Sequence, residues 1–143
     1  MTLWRRAKAR PDLIIALLVG GASFAVYVKT LAPTLLMADA AEFQFACYLL
    51  GVAHPTGYPL YLILGWLWSH LVPLGDVAFR INLLSAVFAA LAMGLLYPLI
   101  LDVLRRTVRS VDRHLLRATA VIATLTLAFS RTFWSQAVKA EVY

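Results

Sequence analysis

Charge in this chain is confined to short clusters, and long apolar stretches run between them. The first stretch, residues 13–28, holds sixteen positions without a charge, a rise of ~24 Å as a helix. Lys29 can extend its ammonium outward and no further charge follows until Asp39, so the pattern predicts a membrane span over 13–31. Pro33 favours an exit from that helix. A second uncharged stretch, between Arg80 and Asp102, predicts a span over 80–101. A third, between Arg117 and Arg131, predicts one over 118–132, with Phe133 and Trp134 as interfacial anchors beyond it. Gly20 and Gly21 in the first stretch, and Ala86, Ala89, Ala90, Ala92 and Gly94 in the second, are small enough to let neighbouring helices approach closely.

Residues 57–75, GYPLYLILGWLWSHLVPLG, are also apolar, but sidedness argues against a simple crossing there. Nine of the thirteen Lys and Arg residues lie in two blocks: Arg5, Arg6, Lys8 and Arg10, then Arg105, Arg106, Arg109, Arg113 and Arg117. Positive flanks stay cytoplasmic. Placing both blocks inside requires that 32–79 leave and return on the same outer face. The aromatic stretch around Tyr58, Tyr61, Trp66, Trp68 and His70 then lies as an interfacial or re-entrant helix, a fourth span or two broken crossings being the alternatives. The expected order is a cytoplasmic basic N-terminus (1–12), a first span (13–31), an outer loop (32–79), a second span (80–101), a basic cytoplasmic loop (102–117), a third span (118–132) and an outer segment (133–143). A cleavable signal peptide is the rival reading of the first span. Its apolar core would be long, and the small residues around Ala38 and Ala40 lie far beyond it.

Composition agrees. Of the 143 residues 62% are apolar and 14% charged, with a mean hydropathy of +0.81, which excludes a freely soluble globule. The net charge of +6 sits in blocks that flank the apolar stretches, so nucleic acid is not an expected partner and the lipid bilayer is. A single cysteine, Cys47, excludes an internal disulfide and a cysteine-built zinc cluster. The fold class expected is all-α integral membrane, three transmembrane helices plus the outer helix. Three spans make a thin bundle, and the chain reads as the N-terminal portion of a longer protein.

Candidate chemistry gathers in the outer segment, TLAPTLLMADAAEFQFACYLLGVAHPTGYPLY. Asp39 and Glu42 are the only carboxylates between Asp12 and Asp76, and in a helix they share a face. Two readings stay open. Asp-x-x-Glu can be a capping box, Asp39 accepting the first orphan amides and Glu42 reaching back to the cap, or the pair can perform acid–base chemistry. His54 opens a stiff His-Pro-Thr-Gly-Tyr-Pro corner, as a turn residue or as a ligand. As a zinc site the segment is poor, having neither His-Glu-x-x-His nor a cysteine pair.

Two strings carry a resemblance. Residues 31–86, with their ADAAEF, AHPTGYPLY and FRINLLSA elements, and residues 133–143, FWSQAVKAEVY, resemble the bacterial membrane-protein family known as a domain of unknown function, DUF2723. That family includes a eukaryotic protein O-mannosyltransferase and is more distantly similar to the GT-C superfamily of multi-span glycosyltransferases. Ala41 stands where the family pattern has glycine before the glutamate, which removes no functional group.

The resemblance implies the N-terminal part of a GT-C-like multi-span helical bundle in a bacterial inner (plasma) membrane. It implies an enzyme moving a sugar from a polyprenyl-phosphate donor to an acceptor hydroxyl, on a protein or a glycan, at the outer face. Asp39 falls on the family's acidic position and would be the base; Glu42, its partner, would be the second choice or would orient Asp39. Substrate-binding residues would be His54, Tyr58, Arg80, Asn82 and Lys139. Arg80 and Lys139 are the cations available for the leaving lipid phosphate, with snorkelling at a helix end as the plain alternative. For Asn82 the alternative is a hydrogen bond to a neighbouring helix. No cofactor and no metal ligand is assigned, and the need for a divalent metal stays open. A transporter or flippase of lipid-linked sugar, and a structural membrane subunit, are the rival functions.

Overall fold

The computed structural model describes residues 3–55, 57–108 and 111–141, with side chains from Pro11 onward; Thr56 of the proline corner, Arg109 and Ser110 of the basic segment, and Val142 and Tyr143 lie outside it. The described residues are all-helical, without a strand: α1 Leu3–Lys29, α2 Asp39–Leu49, α3 Pro59–Leu71, α4 Val77–Thr107, α5 Arg113–Ala128 and α6 Arg131–Ala137. Among the described residues two stretches are long and apolar enough to cross a membrane, Pro11–Lys29 and Val77–Thr107.

Three boundaries differ from expectation. The helix α1 already runs from Leu3, so helical backbone extends through the basic N-terminal block. Nor does α4 stop at 101. Asp102 and Arg106, one turn apart, pair at 2.7 Å and carry the helix to Thr107. Arg105 and Arg106 therefore stand in α4, and Arg113 and Arg117 in α5, which Asp112 opens by accepting the amides of His114 (2.7 Å) and Leu115 (3.3 Å). The stretch expected as a third span is split: α5 ends at Ala128, Ser130 turns its amide and hydroxyl onto the carbonyl of Leu127, and α6 restarts at Arg131. Sixteen residues of α5 rise only ~24 Å, less than the ~30 Å of a hydrocarbon core.

The chain divides into two compact units. In the first, residues 1–25 with 90–130, α1 and α4 meet backbone to backbone: a Cβ on Gly20 would come within 3.1 Å of the Ala90 carbonyl and 3.4 Å of Gly94 Cα. Ala16, Tyr97, Leu101, Leu116 and Ala120 form the core beside that contact. Asp12 joins the helix ends, accepting Arg105 Nη2 at 2.8 Å and Arg117 Nε at 2.7 Å.

The second unit, residues 26–89 with 131–143, carries Asp39, Glu42 and the proline corner. Phe43, Ala46 and Cys47 of α2 pack with Ala53, Leu62, Ile81 and Ala140. Gly65 lets α3 lie directly on Cys47, where a Cβ would stand 2.4 Å from Sγ. The thirteen residues of α3 rise ~20 Å, too short to cross a bilayer alone, and Leu60, Ile63, Leu67 and Leu71 are exposed along it. Asp76 caps α4 by accepting the Phe79 amide at 2.7 Å, and the Thr34 hydroxyl donates to it at 2.9 Å.

Candidate functional site

The turn into α2 decides what Asp39 can do. Ala38, at φ 60° and ψ −142°, is the N-cap residue, and no side chain caps the helix. Asp39 is thus the first residue inside α2 rather than its cap, where a carboxylate still meets the favourable positive end of the helix. Glu42 does not reach back to the cap either, so the capping-box reading fails for both residues. Its carboxylate turns to the proline corner: Oε1 accepts the His54 amide at 2.6 Å and Oε2 meets His54 Nδ1 at 2.7 Å. The hydrogen bond from the His54 side chain, then that from its amide, holds the Glu42 carboxyl below the usual glutamate range.

His54 is fixed from its ring faces as well. The Phe43 ring lies 5.6 Å from the imidazole and the Tyr58 ring 5.6 Å, while Phe43 and Tyr58 meet edge-on at 5.2 Å. Pro59 starts α3 and leaves Tyr58 as its N-cap residue in the left-handed region, at φ 44°. A carboxylate-bound, ring-packed imidazole has a restricted orientation, the condition for a histidine to act at one defined point. Asp39, Glu42 and His54 each offer a donor atom within 4.8 Å of the others'. Two carboxylates and an imidazole are a donor set that could hold a hard divalent cation. The residues expected only as a base, its partner and a substrate ligand are therefore neighbours.

Beside them lies a cavity of about 210 Å³ lined by Leu36, Ala38, Asp39, Lys139 and Glu141 among others. Lys139 Nζ pairs with Glu141 Oε2, and Glu141 is the more enclosed partner, its side chain 11% exposed against 32% for Lys139. Asp39 and Lys139, one hundred positions apart, thus share a cavity wall, as a proton acceptor and a phosphate cation would need to do.

Arg80 and Asn82 are placed elsewhere. The Arg80 guanidinium donates to three carbonyls that close the turn between α3 and α4: Ser69 (2.8 Å), Gly75 (3.1 Å) and Leu74 (3.2 Å). Its own carbonyl accepts the Trp68 indole N–H at 2.8 Å. Arg80 does not line the cavity. Asn82 is fully buried. Its Oδ1 accepts both Gln44 Nε2 (2.8 Å) and the Ala140 amide (2.9 Å), and its Nδ2 donates to the Ala32 carbonyl (2.9 Å). Gln44, also buried, accepts the Leu36 amide at 3.2 Å.

Two site residues, Glu141 and Gln44, escape a reading of the sequence alone. Glu141 stands two positions from Lys139 in an otherwise uncharged segment, a weak hint of a pair. Gln44 is a polar residue on the helix face that also carries Phe43 and Cys47, and that misfit was the available signal.

Residues 39–143 match the family described as the protein O-mannosyl-transferase TMEM260 N-terminal domain. Over 140 residues the chain is 35% identical to protein O-mannosyl-transferase TMEM260 of Mus musculus, covering 98% of the chain and 18% of that protein. Over 74 residues it is 35% identical to protein O-mannosyl-transferase tmem260 of Dictyostelium discoideum, covering 50% of the chain and 9% of that protein. The chain therefore spans less than a fifth of the length of either relative. Both relatives are eukaryotic, and the expected bacterial inner membrane finds no support in them. No solved structure matches the chain. The matched segment begins at Asp39 and includes the Lys139–Glu141 wall of the cavity, and the chain belongs to the protein O-mannosyl-transferase TMEM260 N-terminal domain family.

Proposed function

We propose that this chain forms the start of a membrane glycosyltransferase that moves a sugar, mannose by analogy with the relatives' names, from a polyprenyl-phosphate donor to an acceptor hydroxyl on a protein. One observation carries the reading: a carboxylate and an ammonium, Asp39 and Lys139, line a single cavity beside the Glu42–His54 pair. The acceptor hydroxyl forms the new bond to the anomeric carbon as the bond to the phosphate oxygen breaks, and its electron pair leaves with the lipid phosphate. Asp39 takes the hydroxyl proton. Lys139 offsets the charge that develops on the phosphate. Glu42 holds His54, and His54 and Tyr58 border the acceptor. Arg80 and Asn82 act from behind this site, through the turn and the core they bond.

The membrane placement belongs to the same proposal. α1 and α4 cross the bilayer, α5 is a third crossing completed by its flanks, and 32–79 lies at the outer face with α3 in the interface. The ion pairs of Asp12 with Arg105 and Arg117 gather the start of the apolar Pro11–Lys29 stretch, the last turn of α4 and the second turn of α5 at one place, in keeping with one cytoplasmic side.

Asp39→Asn in the full-length protein tests the chemistry. The amide keeps size and polarity but takes no proton, so donor binding should persist while transfer falls ~10²–10⁴-fold. Transfer at the wild-type rate would remove Asp39 from the chemistry.

A further inference from the structure

Two primary amides, Gln44 and Asn82, are enclosed in the core of the second unit at 1% and 0% exposure. Burying an amide costs free energy unless its donors and acceptors are met, so a core that needed only cohesion would use leucine there. Their partners are specific. Gln44 sits on α2, five positions after Asp39 on the same rigid helix, and its Oε1 accepts the amide of Leu36, which itself lines the cavity. Its Nε2 donates at 2.8 Å to Asn82 Oδ1. The same oxygen accepts, at 2.9 Å, the amide of Ala140, the residue between Lys139 and Glu141. Asn82 Nδ2 donates to the Ala32 carbonyl, and the Ala32 amide in turn donates to Val138 at 3.0 Å, just before Lys139.

Two wall segments of the cavity are therefore each bonded to one of these amides, 36–38 to Gln44 and 139–141 to Asn82, and the third, the first turn of α2, belongs to the helix that carries Gln44. Apolar packing tolerates a sliding of one segment past another, whereas directional bonds to one shared oxygen select a single register. We propose that Gln44 and Asn82 are positioning residues that set the separation of Asp39 from the Lys139–Glu141 pair, and with it the alignment of proton acceptor and phosphate cation about the transferred sugar. This rests on the transferase reading above. Asn82 then acts on the substrate through Ala140 rather than by touching it. A misplacement of ~1 Å by a change remote from the reacting atoms can cost ~10²-fold in rate.

The test uses the full-length protein with polyprenyl-phosphate-linked mannose and an acceptor peptide. Gln44→Met keeps the length of the side chain and removes its amide. The expected result is kcat/KM lowered by ~10–100-fold in protein that still unfolds well above the assay temperature, together with faster hydrogen exchange at the Ala140 amide. The exchange readout needs no activity. The exchanged pair Gln44→Asn with Asn82→Gln restores an amide–amide bond but moves the shared oxygen by one methylene. Thermal stability should then recover while kcat/KM stays low. Recovery of kcat/KM together with stability would reduce the amides to core cohesion, and so would unaltered Ala140 exchange or a wild-type kcat/KM in Gln44→Met. A full-length wild type that transfers no mannose would instead overturn the transferase reading, and the Ala140 exchange would still decide whether the amides hold the wall.

Discussion

Both oxygens of Glu42 are spent on one residue, His54, twelve positions away. A carboxylate so engaged orients the imidazole, which is the part the proposed reaction gives to Glu42. The pair also couples stability to pH. The Glu42 pKa lies below its ordinary 4.5 because the His54 side chain and amide bond its ionised form. The folded state therefore gains from ionised Glu42 fully above that ordinary value, and the gain is lost as pH falls through the lowered pKa. Comparing thermal unfolding of the wild type with Glu42→Gln across the acid range should show a gap at neutral pH that closes below about 4.5. A gap that persists unchanged into acid would mean that the carboxylate's charge contributes nothing.

At the scale of elements, the seat of the site is the contact of α2 with α3. Cys47 fits against α3 only because residue 65 has no side chain: an alanine methyl would stand 2.4 Å from Sγ and 2.8 Å from the Cys47 Cβ. Overpacking of that kind costs ~1–3 kcal/mol. Gly65→Ala should thus lower stability by about that amount, and Cys47→Ala in the same chain should recover part of the loss by vacating the space. Equal effects of Gly65→Ala with and without Cys47 would show that the helix ends, not this contact, set the packing. Burial also pushes the Cys47 thiol up to about 12, so the residue is inert rather than nucleophilic.

For the molecule as a whole, the proposed topology predicts which introduced cysteines a membrane-impermeant reagent reaches. Cys47 is fully buried, which shields its thiol from reagents, so single cysteines can be introduced without removing it. Val52, after α2, is 90% exposed and Val108, after α4, 37%. With a membrane-impermeant maleimide applied to sealed cells, Val52→Cys in the full-length protein should label and Val108→Cys should not. The reverse pattern would invert the topology, and labelling of both would refute a crossing by α4 between them.

Much of this was legible in residue order. The uncharged runs of α1 and α4 are one-dimensional signals, since a helix that meets lipid or other helices all round must be apolar all round. The proline corner and the apolar, aromatic residues of α3 likewise announce a short separate helix, because Pro59 both ends one conformation and starts the next. The Asp39–Glu42 spacing singled out the candidate region. It could not tell a cap from a catalytic pair, since both use the same residues three apart and the distinction lies in the backbone angles of Ala38. Nor could spacing say that Glu42 would reach His54, that Lys139 and Glu141 would close a cavity on Asp39, or that Arg80 would be taken up by three carbonyls of its own turn. Those are contacts between residues far apart in the chain or around a tight turn, and side-chain type leaves their partners undetermined. Gln44 and Asn82 are the plainest case: each amide could bond many groups, and only the packed helices bring one oxygen to both Gln44 Nε2 and the Ala140 amide. Hydrophobic periodicity is local and survives in the sequence, whereas the meeting of polar groups depends on the path of the whole chain and is decided only when the helices pack.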